Sequence, residues 1–163
     1  MDSRALSGFQ YNNSPSQLVD EDFSGKTIVL TTSSGTQGLM AARDVDELIT
    51  GSLVNLDSVV SYIKRKDPER VNIVPMGKEA KEPADEDELC ARWIESKLKG
   101  NEIRNTSSAI EALKEGDGKR FFMEENQGWS PEKDFYLCTD LNRFNFVIRA
   151  YRSQDKGLVL RKV

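Results

Sequence analysis

Three short apolar runs rich in β-branched residues, separated by stretches with helical spacing, constrain this chain more than any other feature. Lys26-Thr-Ile-Val-Leu-Thr-Thr32 reads as a strand, Ser33-Ser34-Gly35 breaks it, and residues 36–45 carry helical spacing. Residues 48–50 give a second short strand, and residues 53–66 place apolar side chains at 53, 56, 59, 60 and 63, close to one stripe of a helix. A third strand over residues 71–74 ends at Pro75-Met76-Gly77, and residues 78–83 make a polar loop. Residues 85–99 then predict a helix, with acids in the first turn and lysines in the last as the helix dipole favours, stopped by Gly100. Strands alternating with helices predict parallel βαβ units, and so an α/β fold with an open, mostly parallel sheet and flanking helices.

The flanks are less regular. Asn13-Ser14-Pro15 offers a cap and an initial proline for a short helix over residues 15–19. Residues 107–115 predict a helix and residues 119–125 a second. Leu141, Phe144, Phe146 and Ile148 lead into strands over residues 146–150 and 158–162, joined by a turn at 151–157, so a C-terminal β-hairpin closes the chain. A length of 163 residues suits one α/β domain over residues 1–163 with a real core.

Composition removes several classes of function. The net charge of −4 disfavours a nucleic-acid partner, which calls for a basic excess. No apolar run approaches the ~18 residues of a membrane span, and the first residues lack the apolar core of a signal peptide, so no membrane partner and a cytoplasmic location are expected. Cys90 and Cys138 stand far apart without a Cys-x-x-Cys partner and are expected to be buried thiols. The chain has no histidine, which excludes Ser-His-Asp and Cys-His hydrolysis, His-Glu-x-x-His zinc proteases and histidine phosphoenzymes. Carboxylate, lysine, hydroxyl and thiol chemistry is left, and oxygen donors suit Mg²⁺.

Three motifs fail on context. Gly25-Lys26-Thr27 has the tail of a phosphate-binding Walker loop, but Asp20 occupies the place of its first glycine and the triplet precedes a strand. Four residues separate Cys138 from Arg143, where the cysteine phosphatase signature needs five. Asp44-Val-Asp46 sits at a predicted helix end, on a solvated face. Two others fit a site. Thr31-Thr32-Ser33-Ser34-Gly35-Thr36 combines a strand end, a turn and a helix start, where free amides bind phosphate or sulfonate. A self-contained hydroxyl-rich turn and helix cap is the alternative. Asp85-Glu86-Asp87-Glu88 would lie along the same sheet edge and hold Mg²⁺ against a phosphate, or else merely complement the helix dipole.

Taken in order, Gly8-Phe-Gln-Tyr-Asn-Asn-Ser-Pro15, residues 26–36, Gly51-Ser-Leu-Val-Asn55, Gly77-Lys-Glu79, Glu86-Asp-Glu-Leu-Cys-Ala91 and Asp140-Leu-Asn-Arg-Phe-Asn-Phe-Val147 resemble the 2-phosphosulfolactate phosphatase family. The resemblance runs from Gly8 nearly to Val163. It implies an α/β fold and Mg²⁺-dependent hydrolysis of 2-phosphosulfolactate to sulfolactate and phosphate, a step of coenzyme M biosynthesis. In that reading Thr31, Thr32, Ser34, Gly35 and Thr36 cradle the phosphate, Glu86 and Asp87 bind Mg²⁺, and Asn13 and Asn55 orient a small phosphorylated or sulfonated organic acid. The nucleophile, metal-held water or a carboxylate, is unassigned, and homo-oligomers are left open. Family members begin with a further segment bearing an Asp-x-x-Arg-Ala-Thr-like motif, so the chain is expected to be N-terminally truncated relative to them. Gln10, Asn12, Arg92, Asn142 and Asn145 replace the family's usual residues. These departures motivate an alternative: a diverged, non-catalytic ligand-binding or regulatory remnant of the same fold.

Overall fold

The core forms where apolar spacing is most regular. The computed structural model describes residues 7–155 and 157–163. Helix α2 (Leu56–Lys66) turns Leu56, Val59, Val60 and Tyr62 inward and stops at Asp67, a left-handed residue placed just before Pro68. Helix α3 (Asp85–Leu98) packs against it through Leu89, Cys90, Trp93 and Ile94. Leu56, at the centre, is fully buried, a burial that contributes about 2 kcal/mol. The same cluster takes in Leu113, Phe135 and Val147. Phe121 and Phe122 set their rings edge-on against Phe135, at centroid distances of 6.1 and 5.2 Å.

The smaller elements surround this core. Helix α1 (Gly35–Ala41) buries no residue, and α4 (Thr106–Ala112) covers part of the predicted helix over 107–115. The expected helices over 15–19 and 119–125 are tighter 3₁₀ turns, Pro15–Gln17 and Asp117–Phe122. Helix α5 (Glu132–Thr139) was not anticipated, although Ser130-Pro131 stands before its acidic first turn as Ser14-Pro15 stands at the first 3₁₀ turn. Among the described residues no helix is long and apolar enough to cross a membrane.

The sheet corrects the sequence reading. Its three strands, β1 (Leu48–Thr50), β2 (Ile148–Ser153) and β3 (Gly157–Lys162), lie in that order and are antiparallel throughout. The C-terminal β-hairpin is present, with Ala150 opposite Leu160 and the ladder continued by reciprocal Val147 and Val163 backbone bonds. Its first strand runs on to Ser153, which makes the turn shorter than expected. The open, mostly parallel sheet is not formed by the described residues. Residues 27–31 and 71–74 belong to neither helix nor strand, because a strand exists only through a neighbour's backbone groups and, among the described residues, none pairs with them. Helices and strands are thus mixed, but not as parallel βαβ units.

Candidate active site

The hydroxyl-rich segment closes on itself. Thr36 N–H donates to Thr32 Oγ1 at 2.9 Å, Thr32 N–H donates to Thr36 Oγ1 at 3.0 Å, and the Thr36 hydroxyl donates to the Thr32 carbonyl at 3.0 Å. Two threonines four residues apart thereby satisfy each other and start α1. Gln37 Nε2 donates to the Ser33 carbonyl at 2.7 Å. Ser34 is buried and Thr31 exposed. With the Thr36 amide taken internally, an oxyanion in this turn would use the amides of Gly35 and Gln37. A Cβ on Gly35 would stand 3.4 Å from Thr32 Oγ1, at van der Waals contact with that hydroxyl.

The carboxylates at the start of α3 are tied to protein donors. Asp87 Oδ2 accepts from the Gly77 N–H at 2.8 Å. Glu86 Oε1 pairs with the Arg120 guanidinium at 3.3 Å. Asp85 and Asp117 each accept the other's backbone N–H, at 3.2 and 3.0 Å. Lys78 completes the cluster by pairing with Asp117. Its hydrogen bond holds the Asp117 carboxyl below the ordinary 3.8, and the same bond raises the Lys78 ammonium above 10.5. Among the described residues no three His, Cys, Asp or Glu side chains gather closely enough to hold a metal ion. Glu86 and Asp87 each have a protein donor in this arrangement, and Mg²⁺, which takes one or two carboxylates together with waters and substrate phosphate, would have to be held by their other oxygens.

One short loop brings the hydroxyl turn and the carboxylates to the same end of the molecule. Met76 lies so close to Gly38 of α1 that a side chain there would collide with its thioether. The next residue, Gly77, is the one fastened to Asp87. Gly77 has a φ of +63°, and a Cβ on it would strike the Glu82 carbonyl, because Lys78 and Glu82 exchange backbone bonds across the turn.

The two asparagines lie apart from this end in what they do. Asn55 is buried; its Oδ1 accepts from the Ser52 N–H at 3.0 Å and the Ser52 hydroxyl at 2.9 Å, and its Nδ2 donates to the Phe146 carbonyl at 3.1 Å. It joins the start of α2 to the approach to β2. Asn13 is exposed, on a segment held to α5 by its neighbours: Asn12 Nδ2 donates to the Trp129 carbonyl at 3.1 Å, and Ser16 N–H donates to buried Asp134 at 2.8 Å. Asn142 has a left-handed φ of 61° and accepts from the Asp57 N–H at 2.8 Å, capping α2. Asp134, Asp117 and Arg120 were missed in the sequence, where nothing distinguishes them from surface charges. The thiols divide: Cys90 is buried, which pushes it up to about 12, whereas Cys138 is exposed, contrary to expectation, at the far end of α5.

A family model described as 2-phosphosulpholactate phosphatase matches residues 2–152. This chain belongs to the 2-phosphosulfolactate phosphatase family. Relatives bearing the name probable 2-phosphosulfolactate phosphatase include one from Thermotoga petrophila, 34% identical over 148 residues, covering 86% of this chain and 63% of the relative. A second, from Thermotoga maritima, is 40% identical over 104 residues, covering 64% of this chain and 44% of the relative. A third, from Clostridium perfringens SM101, is 28% identical over 163 residues, covering 93% of this chain and 64% of the relative. The chain thus spans less than two thirds of the length of these phosphosulfolactate phosphatase relatives. No solved structure matches it.

Proposed function

We propose that this chain acts in the hydrolysis of 2-phosphosulfolactate to sulfolactate and phosphate. The observation that carries the reading is the family match over residues 2–152, joined to relatives whose names specify that substrate. The substrate offers two oxyanions, a phosphate and a sulfonate, together with a carboxylate. Backbone amides of Gly35 and Gln37 at the start of α1 would receive one of them, with Thr31 and Thr32 beside it. Phosphoryl transfer depends chiefly on positioning and charge neutralisation. Lys78 and Arg120 are cations at the carboxylate cluster, each already paired there. A dependence on Mg²⁺ enters the proposal through the resemblance alone, and no step is routed through the ion.

The test is phosphate release from 2-phosphosulfolactate by the purified chain, with and without EDTA. Release above the blank that falls on Gly35→Val supports the reading. Absence of release overturns it for this chain. The alternative, a non-catalytic binding remnant, is favoured by one observation: Glu86 and Asp87 are engaged with protein donors. It requires saturable calorimetric binding of sulfolactate or phosphate without turnover.

A further inference from the structure

The two strands of the C-terminal hairpin, β2 and β3, carry Arg149, Arg152, Arg161 and Lys162 and no acid, in a chain whose net charge is −4. Their register sets Arg149 directly opposite Arg161, and like charges facing each other across a ladder destabilise it. Arg149 meets Glu47 Oε1 at 3.0 Å and stacks over the Tyr151 ring at 4.9 Å. The Glu47 carboxylate is shared, since it also accepts from the Tyr62 hydroxyl and lies 4.0 Å from Lys66. Arg149 Nε is buried with no hydrogen-bond partner among the described residues. Lys162 stacks on Phe146, and Arg152 donates to the carbonyls of Met40 and Ala42. Arg161 is exposed, and its guanidinium has no ion pair, hydrogen bond or ring contact among the described residues.

Arg161 also lines a concavity of about 390 Å³, together with Tyr151, Arg152, Ser153 and Val159. Tyr151 pairs with Val159 in the same ladder, so strand alternation puts Tyr151, Ser153, Val159 and Arg161 on one face. The volume suits a small molecule, and the residue types combine a guanidinium fork, two hydroxyls and an apolar wall. Charge sets the class of ligand. Arg149, Lys66 and Arg161 stand against the single carboxylate of Glu47, which leaves two positive charges that a monoanion would not neutralise. A guanidinium matches the paired oxygens of a phosphate-type group bidentately. We propose that this face of the hairpin binds a small organic dianion through a phosphate-type oxyanion, held by Arg161 with the Tyr151 and Ser153 hydroxyls, while Val159 meets the organic part. The anion relieves the repulsion between Arg149 and Arg161 that the free protein carries. This site belongs to different elements from the turn at Gly35 and stands independently of the phosphatase reading.

The probe is phenylphosphonate, a dianion in mildly alkaline buffer that offers no phosphate ester to hydrolyse, with benzoate as the monoanionic control. Each is titrated into the full chain and followed by backbone-amide and arginine side-chain NMR. Saturable shifts are expected at residues 151–153 and 159–161 and at the Arg161 Nε–H, with benzoate at least tenfold weaker. Arg161→Gln removes the fork and the cross-strand repulsion together, so the free variant should melt no lower than the wild type and bind phenylphosphonate at least tenfold more weakly. Gly35→Val should keep the hairpin shifts, which separates this site from an anion held at α1. No saturable shift, shifts confined to other residues, equal affinity for benzoate, loss of the hairpin shifts in folded Gly35→Val, or undiminished binding by Arg161→Gln would each overturn the proposal. A lower melting temperature for free Arg161→Gln would show the guanidinium already engaged within the protein, and would overturn it as well.

Discussion

Asp87 shows how one side chain can satisfy a sequence motif and still do different work. It stands in an acidic first turn where the dipole of α3 favours negative charge, and its oxygen holds the Gly77 N–H. Asp87→Ala removes both contributions and should cost about 1–2 kcal/mol, read as a fall of about 2–8 °C in melting temperature. Asp87→Asn keeps an acceptor and should fall by less than half as much. Asp117 and Lys78 carry a pH signature. Asp117 is depressed in the folded state, so its contribution is complete above the ordinary 3.8 and is lost as pH falls through its lower folded value. Lys78 is raised, so its contribution persists below 10.5 and is lost as pH rises through its higher folded value. The stability difference between wild type and Asp117→Asn should therefore be flat from pH 5 to 9, vanish in acid and shrink in strong base. Urea melts at a series of pH values check this. The acidic run and the hydroxyl turn stand out in the sequence as polar clusters, but their partners do not. Which N–H a carboxylate accepts depends on distant segments, as with Asp85 and Asp117, 32 residues apart.

Helices and strands differed in how far local pattern determined them. Helices α2 and α3 satisfy their own backbone groups, so apolar stripe, acidic start and stop signal sufficed to place them. The C-terminal hairpin was legible because its two strands are joined by a short turn and meet each other. Residues 27–31 and 71–74 have equally good strand composition, but composition carries no information on whether a partner is present. Asn55 is the joint between the correctly anticipated elements. It is buried and uses two acceptor contacts and one donor contact to connect Ser52, the start of α2 and Phe146. Asn55→Ala leaves the Ser52 amide and the Phe146 carbonyl without that partner and should cost at least about 2 kcal/mol. Equilibrium unfolding in urea measures it. An effect limited to substrate affinity, with stability unchanged, would instead assign Asn55 to ligand orientation.

Across the whole molecule the stabilising contacts are unevenly distributed. Leu56, Val59, Trp93 and Phe135 gather in one cluster, whereas α1 contributes no buried residue and leaves Met40 exposed. Its C-terminal end is held by Arg152, whose guanidinium donates to the carbonyls of Met40 and Ala42. Amides of α2 and α3 should therefore exchange with deuterium only on global unfolding, while those of α1 exchange through local opening at least tenfold faster. Arg152→Ala should accelerate α1 further and leave α2 unchanged. Because the first turn of α1 is also the proposed oxyanion cradle, recognition there is coupled to a folding equilibrium. A ligand must hold the helix in place as well as contact it, and its apparent affinity is reduced by the fraction of time that α1 is closed. An anion bound at Gly35 would slow exchange along the whole of α1, and a substitution that pins the helix far from the turn would tighten binding without touching the ligand.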